Sequence, residues 1–349
     1  MTICFTSLTC AYLSRGRLLA ASVRRHHPDW AIWAVLVDVP PPGMDLRAAV
    51  AGFDRVLDAR ALIAGSFGRW VFGHDVVAAC CAVKGAALCR LLGLGVDRVV
   101  YLDPDTVLFA PLPDMDGATV QLTPHRLRPG ADTAAGRAAA REVFEHGIYN
   151  LGYLAVSSAA EGWAFARWWA ELLAEACADD PARGLFVDQR YCDTVPALFP
   201  GAQVLRDPGC NVATWNLDQR PLTLDGAGAI VTHQGEVEGP LRLFHFSKHG
   251  GVGDRAIRLH AAANPVALEL WCWYGRAIAA ARDVAPAWRW AAYCDGALVT
   301  QAARDAWRTR PDLRGAFADP FSTGPGTFRE WFDASHPEQS GAGDAAPRA

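Results

Sequence analysis

The chain has 349 residues, 51% of them apolar, enough to bury the core of one large α/β domain or of one domain with an appendage. A net charge of −4 with no run of like charge argues against general nucleic-acid binding. No apolar run is long enough to span a bilayer, and the opening Thr2-Ile3-Cys4-Phe5-Thr6 reads as a strand and not as a signal peptide.

The first half alternates strand and helix. Ile3 to Leu8 reads as a strand, Leu13 to His26 as a helix with Leu18, Leu19, Ser22 and Val23 on one face, and Trp30 to Val37 as a second strand closed by Pro40-Pro41-Pro42-Gly43. Asp54 to Leu57 is a short third strand, Val76 to Leu92 a strong helix and Val99 to Leu102 a fourth strand. This alternation predicts a mostly parallel sheet covered on both faces. Further strands are expected at Ala118 to Leu122, Tyr153 to Val156, Gln203 to Leu205, Ala229 to Thr232 and Leu241 to Phe246. Helices are expected at Ala138 to His146, Trp163 to Ala176 and Val187 to Leu198, with a loop from Leu127 to Gly136. The expected division is one large α/β domain over 1–255, a Trp-rich helical appendage over 256–333 and a disordered tail over 334–349.

Cysteine usage bears on compartment. The ten cysteines are scattered, with no CxxC pair and no zinc-ligand spacing. They read as small buried thiols in a reducing cytoplasm.

Chemistry concentrates in a few places. Asp103 and Asp105 follow the fourth strand one residue apart, so they project together from its carboxyl end, where open α/β sheets bind ligands. Two hard oxygen donors there can hold Mn²⁺ or Mg²⁺, and through it a diphosphate. Asp-Pro-Asp is equally turn chemistry. Lys84 is a lone cation in the apolar stretch Ala82 to Leu88 and can reach a phosphate, the plain alternative being a solvated helix lysine. Asn150 suits a sugar hydroxyl and Gly152 permits close backbone approach; both are read as preceding a strand. Asp188 and Gln189 either meet the transferred sugar or cap a helix. His245 is a sound third ligand for Mn²⁺ or else a satisfied core histidine between phenylalanines. Lys248 and the backbone of Gly250 and Gly251 can hold a leaving diphosphate.

Taken in order, the helical Lys84, Asp103-x-Asp105, Asn150-x-Gly152, Asp188-Gln189 and His245-Phe246 resemble the retaining glycosyltransferases of the lipopolysaccharide galactosyltransferase and glycogenin type. The resemblance covers roughly residues 1 to 255. It implies a GT-A fold, a Rossmann-like nucleotide-sugar-binding sheet, with the helical appendage added. It implies that Asp103, Asp105 and His245 bind Mn²⁺, that Asn150, Asp188 and Gln189 contact the donor sugar, and that Lys248 contacts the diphosphate. Ala82-Val83-Lys84, Asn211-Val212-Ala213-Thr214-Trp215-Asn216-Leu217 and Phe244-His245-Phe246-Ser247 look like a bacterial subgroup of surface-polysaccharide assembly. The expected partners are a nucleotide-sugar donor, UDP-linked by preference, and a saccharide or lipid-linked glycan acceptor at the inner face of the membrane. Two departures stand out: Ser7, Leu8 and Thr9 replace the acidic or amide residues that hold the base, and Lys248 stands where a glycine is usual.

Two other classes compete. A nucleotidyltransferase acting on sugar phosphates wants a Gly-rich basic loop after the first strand, and Thr6 to Ser14 holds neither Gly nor Lys. A non-catalytic glycan or nucleotide-sugar binder would be expected to have lost a metal ligand. Trp271, Trp273, Trp288 and Trp290 read first as packing of the appendage, and second as a sugar platform or peripheral membrane contact.

Overall fold

The computed structural model describes residues 1–130, 134–281 and 286–338. In chain order the first half comprises β1 (Thr2–Leu8), α1 (Leu13–His26), β2 (Ala31–Leu36), α2 (Leu46–Ala49), β3 (Arg55–Asp58), α3 (Phe67–Phe72), α4 (Val76–Leu92), β4 (Arg98–Leu102), β5 (Thr106–Leu108), β6 (Val120–Pro124), α5 (Ala134–His146), β7 (Tyr149–Ser157) and α6 (Ala160–Glu175). The second half adds β8 (Asp179–Asp180), β9 (Leu185–Phe186), α7 (Val195–Leu198), β10 (Ala202–Val204), β11 (Val212–Ala213), β12 (Leu222–Leu224), β13 (Ile230–Gln234), β14 (Val237–Pro240) and β15 (Leu243–His245). Five helices follow: α8 (Val252–His260), α9 (Pro265–Ala280), α10 (Gln301–Thr309), α11 (Pro311–Ala316) and α12 (Phe328–Ser335).

The central sheet runs β10-β6-β7-β4-β1-β2-β3. All its pairings are parallel except those of β7, which is antiparallel to both neighbours. Alternation explains how it is covered. Ile3 and Phe5 of β1 join Val83, Ala87 and Leu88 of α4 and Phe165 and Trp169 of α6. Cys4, pointing the other way, joins Leu19, Ala20 and Val23 of α1. The chain leaves β1 toward β2 and β3 and returns on the other flank as β4. The crevice between the carboxyl ends of β1 and β4 is thus the topological switch point where such sheets receive ligands.

A small sheet, β11-β15-β5, stands beyond that crevice. Its core, Val107, Val212, Phe244 and Phe246, continues into Ile257 of α8 and Leu270, Trp271 and Tyr274 of α9. The boundary expected after residue 255 therefore falls inside α8, and α9 shares the core of β15. Residues 286–338 wrap α3 instead: Phe72 packs among Tyr293, Trp307, Phe321 and Phe328. Trp271 and Trp307 are buried packing residues, whereas Trp273 is 37% exposed.

Several expected elements shift. Asn150 and Gly152 lie inside β7, which starts at Tyr149 and not at Tyr153. The helix expected over Val187 to Leu198 is a turn at Val187, with φ of 39°, followed by a 3-10 turn and the short α7. The loop expected over Leu127 to Gly136 gives way to α5 at Ala134, with residues 131–133 outside the described residues. The tail expected from residue 334 starts inside α12, which runs on to Ser335, and residues 339–349 lie outside the described residues. Among the described residues, no helix is long and apolar enough to cross a membrane.

Gly85 sets how closely α4 and α6 approach. A Cβ there would stand 2.5 Å from Ala170 Cα and 2.9 Å from its N. Gly85→Ala is therefore expected to destabilise by about 1–3 kcal/mol through overpacking, despite the roughly 1 kcal/mol helix propensity gained. Urea unfolding of the variant measures this; an unchanged midpoint would count against the packing argument.

Candidate active site

Backbone bonds place the two aspartates before any side chain acts. Asp103 N donates to Gly152 O on β7 (3.1 Å), and Thr106 N and Oγ1 close the turn onto Asp103 O (3.1 and 2.8 Å). Phe246 N donates to Asp105 O (2.8 Å) where β15 pairs with β5. The turn is thus pinned to both sheets at the switch point, and His245 is carried to the same place from far along the chain.

Asp103, Asp105 and His245 form one cluster whose ligand atoms all lie within 4.8 Å of one another. His245 Nε2 is 3.2 Å from Asp105 Oδ1 and 3.7 Å from Asp103 Oδ2. Neighbouring ligands of an octahedral cation with bonds of about 2.1 Å sit about 3 Å apart, and the two His245 separations lie near that, so two carboxylates and an imidazole could hold a divalent cation here. Asp103 divides its oxygens. Oδ1 accepts from Tyr101 Oη (2.6 Å) and Lys84 Nζ (3.3 Å), which leaves Oδ2 toward His245.

Lys84 is buried (3% exposed) and sits 2.8 Å from Asp188 Oδ2, 3.3 Å from Asp103 Oδ1 and 4.1 Å over the Tyr101 ring. Burial alone would pull its ammonium down; Asp103 and Asp188 reverse that and hold it well above its ordinary range. It is a buried counter-ion joining two carboxylates, not a solvated helix lysine. Asp188 follows the Val187 turn, and Trp169 Nε1 donates to its carbonyl (3.1 Å). Gln189, also buried, donates from Nε2 to His146 O (2.6 Å).

Asn150 and Gly152 face His245. Asn150 Oδ1 accepts from Gly152 N (2.9 Å), Asn211 Nδ2 (2.9 Å) and His245 Nδ1 (3.2 Å). Its Nδ2 donates to His125 Nε2 (3.4 Å), whose other nitrogen, Nδ1, donates to Gly147 O (2.8 Å). Burial pushes His125 down to about 4, so it stays neutral. A Cβ on Gly152 would lie 2.5 Å from His245 Nδ1, so here the glycine makes room for the imidazole. Lys248 is exposed on the turn after His245, with φ of 55°, and has no ion pair among the described residues. Gly250 N is committed to Asp254 Oδ1 (3.1 Å).

Sequence reasoning missed four contributors. Tyr101 shares a strand face with Asp103, a signal that period-two alternation carries. Asn211 and His125 reach the site only through folding. Arg15 lies over the Tyr12 ring (4.4 Å), donates to His249 O (3.4 Å) and is among the charges that lower Asp105. It is a cation one turn after β1, on the crevice side.

No protein-family model matches the chain. Two uncharacterized proteins of Bacillus subtilis (strain 168) are similar to it. YfnF is 35% identical over 112 residues, covering 32% of this chain and 36% of YfnF. YfnD is 24% identical over 205 residues, covering 56% of this chain and 58% of YfnD. The matches thus span less than two thirds of either relative. Among solved structures, the galactosyltransferase LgtC, determined with donor and acceptor sugar analogues, aligns with 82% of this chain and 98% of its own at 13% identity and a TM-score of 0.44. The glycosyltransferase GlyE of Streptococcus pneumoniae TIGR4 aligns with 59% of this chain and 45% of its own at 17% identity and a TM-score of 0.36.

Two outcomes follow from the charges. Lys84→Met leaves Asp188 buried without a partner and is expected to cost about 3–5 kcal/mol. Asp188→Leu added to it should recover part of that loss in a double-mutant cycle read by urea unfolding. Strict additivity would show that the pair is not coupled. The second concerns pH. Burial pulls His245 down, but Asp105 overrides it and the net shift is upward from 6.5. The cation-free pair therefore stabilises the fold below that ordinary value and loses the contribution as pH rises through the raised one. Bound metal needs the neutral ring, so Mn²⁺ affinity should climb with pH, by up to about tenfold per unit, until His245 has lost its proton. Calorimetric titration between pH 6 and 9 checks it, and a flat affinity would remove His245 from the ligand set.

Proposed function

We propose that this chain is a metal-dependent glycosyltransferase of the GT-A type. It moves a sugar from a nucleotide-sugar donor, UDP-linked by preference, to a saccharide or lipid-linked surface-glycan acceptor. The observation that carries the reading is the Asp103–Asp105–His245 cluster at the carboxyl end of the sheet's switch point. The order of motifs along the chain supports it independently.

The reaction breaks the bond between the anomeric carbon and a diphosphate oxygen, with oxocarbenium character at carbon and negative charge gathering on the leaving group. Mn²⁺ or Mg²⁺ held by Asp103, Asp105 and His245 would supply Lewis-acid stabilisation of that charge. Tyr101 and Lys84 fix Asp103 so that Oδ2 remains available. Arg15 from the first turn of α1 and Lys248 from the turn after β15 bring cations to the mouth of the crevice, where they would meet a diphosphate. Lys84 pairs with Asp188 where the sugar is proposed to lie, with Gln189 beside it. Asn150 and Gly152 act through His245, which they orient and accommodate. Gly250 stiffens the loop that carries Lys248. Retention of anomeric configuration is proposed from the motif resemblance, with Asp188 on the sugar face. Work at the inner membrane face, with half-exposed Trp273 as a peripheral contact, suits a lipid-linked acceptor.

Thermal unfolding with UDP-, GDP-, dTDP- and CMP-sugars, each with Mn²⁺ or EDTA, is the direct test. A shift with one nucleotide series that vanishes in EDTA is expected. No shift with any of them, in a protein that melts cooperatively, would turn the reading toward a nucleotidyltransferase or a non-catalytic binder. Asp103→Asn and Asp105→Asn should each lower transfer by at least about 100-fold while the protein still melts cooperatively. Full activity in either variant would sink the metal-site argument.

A further inference from the structure

The proton on His245 can be placed by following a chain of hydrogen bonds from a group that cannot be reversed. Gly152 N–H donates to Asn150 at 2.9 Å. A backbone N–H has no acceptor form, so the atom of Asn150 facing it is the amide oxygen. The Asn211 atom 2.9 Å from that same oxygen must then be its amide nitrogen, which also donates to Thr123 Oγ1 at 2.8 Å. This leaves Asn211 Oδ1 facing His245 Nδ1 at 3.2 Å, alongside Asn150 Oδ1 at 3.2 Å. With two acceptors on one ring nitrogen, Nδ1 carries the proton. In the neutral ring, Nε2 then points a lone pair at Asp105 Oδ1 (3.2 Å) and Asp103 Oδ2 (3.7 Å), a conflict that a divalent cation among the three removes.

Asn211 is itself held rigidly. Its φ of 56° is a left-handed conformation that Asn adopts at lower cost than most residues. Its carbonyl accepts from Asn216 Nδ2 (3.1 Å) and Arg220 Nη1 (3.4 Å). Asn216 Oδ1 accepts from Ala213 N (3.0 Å), and Arg220 spends a second bond on Cys210 O (2.7 Å). Asn211, Asn216 and Arg220 are at most 1% exposed. So much buried polarity is costly unless fully paired, and here it converges on one ring nitrogen of one candidate ligand.

We infer that Asn211 is a positioning residue. It locks the His245 imidazole with Nδ1 protonated and Nε2 presented to the cation, so the Asn211–Arg220 loop sets the affinity of the site for Mn²⁺. The inference rests on the metal-site reading above. It gives the Asn211-to-Leu217 stretch a physical task.

The test is Mn²⁺ binding to the purified full chain, followed by electron paramagnetic resonance of the free ion, with melting temperature in EDTA measured beside it. Asn211→Gly accepts the same backbone angle and removes both amide atoms. It is expected to weaken Mn²⁺ binding by about 10- to 100-fold. Asn211→Asp keeps an acceptor on Nδ1–H but loses the donor to Asn150 and Thr123. It should melt lower yet hold Mn²⁺ within about threefold of wild type, because the ring is still oriented. Asn211→Ser, too short to reach the ring, replaces the glycine variant if that one does not fold, with the same expected loss. Wild-type affinity in the glycine or serine variant overturns the inference. So does an aspartate variant that loses as much affinity as they do, since binding would then be tracking stability alone. If the wild-type chain takes up no Mn²⁺, the metal-site reading has failed, and the inference fails with it.

Discussion

One buried ammonium group, Lys84 Nζ, sits between the carboxylates of Asp188 and Asp103, 2.8 and 3.3 Å away. Three elements meet there that are distant in sequence: α4, the end of β4, and the turn after β9. An unpaired charge at any of these positions would cost several kcal/mol. The apolar helix α4 can carry a lysine through the core only because both partners are delivered to it. Their delivery in turn depends on close packing. Trp169 of α6 anchors the Asp188 backbone, and Gly85, next to Lys84, lets α6 come near enough to do so. Electrostatics and packing are therefore one constraint at this point, not two.

The other side of the cluster is built from neutral groups. His245 is oriented by amides, backed by neutral His125, and touched edge-on by Trp215, whose ring centroid lies 5.2 Å away. One flank of the aspartate pair thus supplies charge and the other supplies direction. A carboxylate is a permissive ligand because either oxygen can bind; an imidazole is useful only in the right tautomer and plane. This explains why the polar network is concentrated behind the histidine.

What was legible in the sequence follows the range of the forces involved. Helices α1 and α4 span Leu13–His26 and Val76–Leu92, as their apolar patterns predict, because those patterns are local; Asp75 fixes the start of α4 by accepting from Ala78 N. The order Asp103, Asp105, His245 was legible as chemistry. The start of β7 was not: Asn-x-Gly reads as a turn, yet the strand runs through it because Gly152 must clear an imidazole from β15. The turn at Val187 was equally hidden, since a β-branched residue at a φ of 39° contradicts its own preference and is held there by tertiary contacts. The pairing of Lys84 with two carboxylates was not legible, because its burial partners lie 19 and more residues away.

The wrapping of α3 by the C-terminal residues has a consequence for how the chain is made. Phe72 is fully buried, yet Tyr293, Trp307, Phe321 and Phe328, which surround its ring, are all contributed more than 200 residues later. The carbonyls of Phe72 and His74 likewise wait for Arg304, which donates to both. As the ribosome releases the chain, the sheet can assemble while α3 still shows an aromatic face with nothing on it. That face stays uncovered until residues 286–338 have been made, and an apolar surface exposed for that long favours wrong contacts over right ones.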